Sequence, residues 1–152
     1  MSRKGATRRA STEIGASLYE LATGAVRRLP RDMSLTSAAT LAALESTGPR
    51  RITDLALIAG VTQPAMTVLV RVMEESGLVD RTGDAADKRV TLVRLTEAGA
   101  SYVQRRRQSG VHELVRLIDE LTDDEVKALA AALPALRHLE ALDRQDREGP
   151  QQ

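Results

Sequence analysis

The pattern of apolar and polar residues is most informative over 52–96, where it changes from helical to strand spacing. A short apolar segment ending at Ile58 predicts a helix that Thr53 can cap, because a threonine hydroxyl accepts hydrogen bonds from free backbone N–H groups. Gly60 then predicts a tight turn, and Thr62 is suited to cap a second helix. The first half of this segment is therefore expected to form two helices joined by a glycine turn.

The second of these helices, over 65–76, is expected to have two chemically different faces. A helical wheel places on the inward side Ala65, Met66, Leu69, Val72 and Met73. It places on the opposite side Gln63, Pro64, Thr67 and Arg71, with Val68 and Val70 at the margins. One face is available for packing and the other is free to contact a partner, as a helix in a DNA major groove requires.

A hairpin is predicted directly after this helix. Gly77 ends the helix, and two β-prone segments follow at 78–82 and 89–95. The polar connection between them, 83–88, begins with glycine and aspartate, as hairpin connections prefer. A helix-turn-helix followed by such a hairpin is a winged helix-turn-helix.

The segment from Gly60 to Gly99 resembles the multiple-antibiotic-resistance regulator (MarR) family of bacterial transcription factors. The most specific pieces are SGLVDR, the wing-tip sequence DAADKR and LTEAG, in that order and spacing. The resemblance implies a mainly α fold with a small β wing, in which N- and C-terminal dimerisation helices accompany the winged helix-turn-helix.

The resemblance also covers the flanking regions. It implies a single MarR-like domain over 1–152, with the winged helix-turn-helix over 33–96 and dimerisation helices over 13–30 and 97–145. Residues 1–12 are rich in basic and small polar side chains, which predicts a disordered basic arm. This arm is either a solvated tail or a contact for phosphates.

Apolar residues at helical spacing predict further helices over 14–29, 36–46, 97–121 and from 122 onwards. Leu41 and Leu44 are expected to face the core. Thr96 is suited to cap the third of these helices, and the capping-box sequence at 122–125 is suited to begin the last.

Three details concern the shape of these elements. Pro134 predicts a bend or break in the last helix. Gly110 either kinks the long helix or allows close packing, and both alternatives stay open. Arg51 and Ile52 predict a brief strand against the wing.

The apolar stripes of the terminal helices need a surface on which to be buried. A homodimer supplies one, although the first helix is also compatible with packing on its own domain. Two-fold symmetry presents two recognition helices about 34 Å apart, which predicts a pseudo-palindromic target in double-stranded DNA.

Composition narrows the class of protein. The chain of 152 residues has no cysteine, which excludes disulfides, cysteine–zinc sites and thiol redox switches. No apolar run approaches the roughly 20 residues of a membrane span, so a cytoplasmic protein without membrane contact is expected. The net charge of +1 is weak evidence for nucleic acid, so any phosphate-binding cations must be well placed.

Gln63 and Thr67 are the candidates for base contacts, following the cap at Thr62. Glutamine can pair with adenine, and threonine offers a hydroxyl or a methyl group. Pro64 offers only apolar contact. Many family members have arginine where this chain has Val68 and an acidic residue where it has Arg71. Val68 can touch a thymine methyl and Arg71 can bind phosphate or guanine, so the family's base code cannot be transferred.

The predicted wing supplies a second set of candidates. By resemblance, Arg89 enters the minor groove while Asp87 holds its guanidinium, and the physical alternative is an ordinary surface ion pair. Further cations expected to contact phosphates are Lys88, Arg81, Arg50 and Arg51.

Two further groups of residues predict no second functional site. Arg105, Arg106 and Arg107 are consecutive on a helix and predict a solvated face. His112 and His138 lie far apart and predict no metal site. Neither catalytic residues nor a cofactor is expected. The sequence predicts a DNA-binding repressor that a small-molecule effector can release; the alternatives are a protein-interaction module on a winged-helix scaffold and, with no supporting motif, an enzyme.

Overall fold

The computed structural model describes residues 3–83 and 90–148, and it describes side chains over 7–83 and 90–146. The elements in chain order are α1 (Arg3–Arg28), α2 (Leu35–Thr47), α3 (Ile52–Ala59), α4 (Gln63–Glu75), β1 (Val79–Gly83), β2 (Thr91–Leu95), α5 (Glu97–Ile118) and α6 (Asp123–Glu148). They form two compact units, Met1–His112 and Glu113–Gln152. The mainly α class with a small antiparallel sheet is confirmed.

The core of the first unit is aliphatic, as a chain almost without aromatic residues requires. Its buried apolar side chains are Leu41, Leu44, Leu55, Ala56, Met66, Val70, Met73, Val79, Val93 and Val103. They come from α2, α3, α4, the sheet and α5, so burial of these side chains joins the helix-turn-helix to the hairpin. The inward positions predicted for Leu41 and Leu44 are confirmed.

The packing face of α4 differs from the helical-wheel prediction. Val70 is fully buried between Met66 and Met73, whereas Ala65 and Val72 are exposed. At about 100° per residue, positions 66, 70 and 73 lie within a narrow sector. Position 72 lies more than 90° away from that sector. The predicted face was therefore offset, and the side of α4 that faces outward contains two valines.

Most of the predicted helix starts are confirmed. The Thr62 hydroxyl accepts from Ala65 N at 3.4 Å, and the Thr96 hydroxyl accepts from Gly99 N at 3.0 Å. In the second unit, Glu125 and Thr122 form the reciprocal bonds of a capping box. Thr53 is not a cap, because α3 already begins at Ile52.

The brief strand against the wing is displaced by one residue from its predicted position. Arg50, rather than Arg51 and Ile52, forms an antiparallel bridge with Val93. Arg50 N donates to Val93 O at 3.0 Å and Val93 N donates to Arg50 O at 2.8 Å. Ile52 is already helical, which removes it from the bridge. This bridge fixes the start of the helix-turn-helix to the edge of the sheet.

The basic arm predicted over 1–12 is corrected for the described residues, because α1 begins at Arg3. Alanine and arginine in this segment have high helix propensity. An Arg9–Glu13 ion pair at 3.0 Å, spaced four residues apart, adds a favourable contact on the exposed helix surface. The glycine and serine residues in this segment lower helix propensity but do not prevent the helix.

The predicted break at Pro134 is also corrected. Within the second unit, α6 is one assigned helix from Asp123 to Glu148 with Pro134 inside it. Proline removes one backbone hydrogen bond, and the helix on both sides of it is retained.

Among the described residues, no single helix is both long and apolar enough to cross a membrane. Taken together, α3 and α4 are long and apolar enough for a membrane span, but the two helices are bent by 106° relative to each other.

Gly99 allows α5 to pass directly against the end of the hairpin. A Cβ atom at this position would overlap the carbonyl oxygen of Leu78 and approach Leu95 Cδ2 to 2.9 Å. The same turn is tied by Thr96, whose N donates to Leu78 O at 3.1 Å. Absence of a side chain at Gly99 is thus a packing requirement.

We expect Gly99→Ala to lower the free energy of unfolding by about 1–3 kcal/mol, because the backbone must move to admit the methyl group. Urea denaturation measures the change. Gly15→Ala is the matched control, since Gly15 is helical and a Cβ there meets no atom within 4 Å. That variant should gain up to about 1 kcal/mol. Equal stability of Gly99→Ala and the parent chain would contradict the packing requirement.

Candidate nucleic-acid interface

The sequence-predicted recognition residues lie on the exposed side of α4. Five of them follow the cap at Thr62 and are exposed: Gln63, Pro64, Thr67, Val68 and Arg71. The buried residues Met66, Val70 and Met73 hold the opposite side in the core. The helix is therefore fixed in rotation about its axis with these five side chains facing outward.

Two polar side chains on this face already have partners. The Thr67 hydroxyl donates to Gln63 O at 2.9 Å, which leaves its methyl group and an oxygen lone pair for another contact. Arg71 Nε donates to Glu75 Oε1 at 2.8 Å in an exposed ion pair. The Gln63 amide forms no hydrogen bond within the part of the chain that the structure describes. Gln63 is therefore the most available hydrogen-bonding group on this face.

Apolar side chains occupy the middle of the same face. Val68 is 62% exposed and Val72, which sequence reasoning had placed in the core, is 53% exposed. With Met66, Val70 and Met73 buried, a 3.6-residue period places both valines on the outward side.

The three described cations expected to contact phosphates have different surroundings. Arg51 is exposed. Arg81 Nε is paired with Glu74 Oε2 at 3.1 Å, a contact that joins β1 to α4. Arg50 is half-buried, and its Nε is enclosed without a hydrogen-bond partner among the described residues. Of the three, Arg51 is the least constrained by neighbouring groups.

The base of the wing is braced by a cross-strand ion pair. Asp80 and Arg94 are direct partners in the sheet register, and their side chains form two hydrogen bonds of 2.6 and 2.9 Å. The hydrogen bond from Arg94 lowers the pKa of Asp80. The predicted wing-tip residues Asp87, Lys88 and Arg89 lie outside the described residues.

A cavity of about 540 Å³ lies within the first unit. It is lined by Val26, Leu29, Leu35, Ala38, Ala39, Ala42, Glu45, Ser46, Tyr102, Val103, Arg106, Arg107 and Gly110. Gly110 brings α5 close to Leu29, whose Cδ2 is 3.3 Å from the position of a Cβ. Of the two alternatives left open for Gly110, close packing therefore has direct support.

Arg106 is a residue that sequence reasoning misplaced on a solvated face. Its side chain is only 12% exposed, and Nη1 donates to Pro30 O at 2.8 Å and Asp32 Oδ1 at 3.2 Å. The Tyr102 hydroxyl donates to the same carboxylate oxygen at 2.9 Å. Burial, followed by this hydrogen bond, raises the pKa of Tyr102, while Arg106 lowers it. The sequence offered no local signal for this position, because Pro30 and Asp32 are distant from Arg106 along the chain.

No group of three side chains able to hold a metal ion occurs in the residues that the structure describes. His112 and His138 are both exposed.

An exposed second helix of a helix-turn-helix, braced by a two-stranded sheet, defines a winged helix-turn-helix protein. A family model described as MarR family matches residues 31–90. The HTH-type transcriptional repressor IacR of Pseudomonas putida is 30% identical over 95 residues, which are 62% of this chain and 57% of that protein. Residues 31–90 therefore match the MarR family model, and the chain is similar to a transcriptional repressor over a segment that includes the helix-turn-helix.

Two solved structures share the fold of this chain. Wild-type MarR from E. coli has a TM-score of 0.61 at 25% identity and covers 80% of this chain and 95% of its own. A MepR variant of S. aureus, solved bound to an oligodeoxyribonucleotide, has a TM-score of 0.63 at 24% identity. It covers 88% of this chain and 97% of its own, and at this identity the likeness concerns the fold alone.

We expect Asp80→Asn to destabilise the chain at neutral pH. A carboxylate whose pKa is lowered on folding contributes stability above its unfolded pKa, near 4, and loses it as pH falls through the lower folded value. The difference from the parent chain should therefore shrink as the pH falls below about 4. Urea denaturation between pH 7 and pH 3 measures it. Asp119→Asn is the control, since Asp119 has no ion pair among the described residues. Equal effects of the two substitutions would contradict a stabilising role for the Asp80–Arg94 ion pair.

Proposed function

We propose that this protein binds double-stranded DNA sequence-specifically as a homodimer on a pseudo-palindromic operator and represses transcription in the cytoplasm. It has no catalytic role in this proposal. The observation that carries the proposal is the orientation of α4, whose capped N-terminal turn and outward face present Gln63, Thr67 and Arg71. A helix exposed in this way is suited to insertion in a major groove.

Dimerisation is supported by the apolar surface left on the terminal helices. Exposed apolar side chains on α1 and α6 are Ile14, Leu21, Val26, Val126, Leu129, Leu133, Leu139 and Leu142. A second copy of the chain would bury such stripes, because removal of apolar surface from water is favourable. Two-fold symmetry then gives two copies of α4 at a separation of about one DNA turn.

Affinity is expected to come mainly from phosphate contacts, and specificity from α4. Arg51 is the best-placed described cation, while Arg81 and Arg50 must bind phosphate from more constrained positions. At the predicted wing tip, the family resemblance supports entry of Arg89 into the minor groove with Asp87 orienting it. Lys88 is a further cation for phosphate.

The cavity supports the further proposal that a small molecule releases the protein from DNA. Its apolar lining and the exposed cation Arg107 suit an aromatic anion. Both α2 and α5 line the cavity and supply core residues beneath α4 and the sheet. A ligand that binds more tightly to one arrangement of these helices would change DNA affinity by that difference.

We expect Gln63→Ala to weaken binding to a duplex selected by the protein from a random pool about 10- to 100-fold. Fluorescence anisotropy measures the dissociation constant. Arg89→Ala should weaken binding as well, and Arg51→Gln should reduce the slope of log K against log salt by about 1. Gln108→Ala, which removes an exposed glutamine of α5, is the control. Indifference of binding to Gln63→Ala would favour the protein-interaction module instead.

We expect the aromatic anion 8-anilinonaphthalene-1-sulfonate to bind the parent chain and to reduce its affinity for the selected duplex. Ala42→Leu fills part of the cavity and should weaken binding of this probe at least several-fold while DNA binding is retained. Ala10→Leu is the matched control, since Ala10 is exposed on α1 and does not line the cavity. Fluorescence titration measures both variants, and equal probe affinity would contradict a site in this cavity.

A further inference from the structure

The outward face of α4 contains an apolar stripe along its centre. Pro64, Val68 and Val72 recur every four residues, so they lie on one side of the helix. At 1.5 Å per residue the stripe is about 12 Å long. These exposed apolar side chains are in contact with water in the free protein. Contact with an apolar group of a partner would remove them from water, which is favourable.

The polar groups beside this stripe are partly engaged. The Thr67 hydroxyl hydrogen is bonded to Gln63 O, and Arg71 is paired with Glu75. Only Gln63, at the N-terminal end, presents an amide without a partner among the described residues. The outward face of α4 therefore includes three apolar side chains that a groove could contact.

The major groove offers one apolar group for such a surface, the 5-methyl group of thymine. The cation Arg71 beside the stripe suits the negative phosphates that border the groove, which favours DNA over an apolar protein partner. We propose that Val68, flanked by Pro64 and Val72, is a specificity-determining residue that selects thymine by contact with its methyl group. This inference rests on the proposed DNA-binding function.

The length of the stripe limits where these thymines lie. Base pairs are stacked about 3.4 Å apart, so 12 Å of helix spans about three to four of them. The discriminating thymines are therefore confined to a run of this length in each half-site. Because the proposed dimer is symmetric, the two runs are related by the operator's two-fold axis.

The experiment compares a duplex selected from a random pool with copies in which single thymidines are replaced by deoxyuridine. This replacement removes only the 5-methyl group and retains the hydrogen-bonding edge. Loss of one buried methyl contact should weaken binding by the parent chain about fourfold. The effect should be confined to one or two thymidines in each half-site.

The variant Val68→Ala tests whether the discrimination comes from this side chain. The change is at an exposed position of a helix, and alanine has higher helix propensity than valine, so the fold is retained. We expect this variant to bind the thymidine and deoxyuridine duplexes with nearly equal affinity. Leu57→Ala is the matched control, because Leu57 is 71% exposed on α3 and does not lie on the stripe; it should retain the fourfold ratio.

Three outcomes would overturn the inference. Equal binding of both duplexes by the parent chain, or full discrimination by Val68→Ala, contradicts methyl recognition by Val68 while the DNA-binding function stands. A chain that enriches no duplex from the pool contradicts the proposed function and this inference together. If the stripe crosslinks to a protein and the chain binds no DNA, the proposed function and this inference are likewise both contradicted.

Discussion

Burial of one side of α4 is the constraint on which the rest of the site depends. Met66, Val70 and Met73 are nearly inaccessible to solvent and pack with aliphatic residues of α2, α3 and the sheet. Each large apolar side chain buried in this way contributes about 1.5–3 kcal/mol, so rotation of the helix about its axis would lose several such contributions. The outward face is thereby set by what faces inward.

That constraint explains the unusual chemistry of the outward face. Once 66, 70 and 73 are inward, a 3.6-residue repeat turns Val68 and Val72 outward, although both are apolar. The nearby threonine and arginine use part of their hydrogen-bonding capacity within the helix. In the proposed complex, phosphate contacts supply affinity while this mixed face supplies the choice of bases.

The helix α5 connects the wing to the cavity inside the first unit. At its N-terminal end Gly99 lies against Leu78 and Leu95, at the base of the hairpin. Two turns later Arg106 is bonded to Asp32 and Pro30 O, which follow α1. Burying a guanidinium is costly unless it is paired, and both partners satisfy it here. A shift of α5 at the cavity would therefore also change its contacts at the base of the hairpin, because the same helix is packed at both positions.

The sequence by itself determined the order and type of the elements, the caps at Thr62, Thr96 and Thr122, and the aliphatic core. These features follow from local hydrogen bonding and periodicity, which act over a few residues. The sequence did not decide two local features. In the basic N-terminal segment, alanine and arginine favour a helix while glycine and serine disfavour it. In α6, Pro134 disfavours a helix that the residues on both sides of it favour.

Only the tertiary structure decided which way individual side chains face. Arg106 looks like its neighbours Arg105 and Arg107 until Asp32, more than seventy residues earlier, is brought beside it. Val72 fits a core as well as a surface until the packing of its helix is known. Both outcomes depend on contacts between residues distant in sequence, and local pattern carries no information about those contacts.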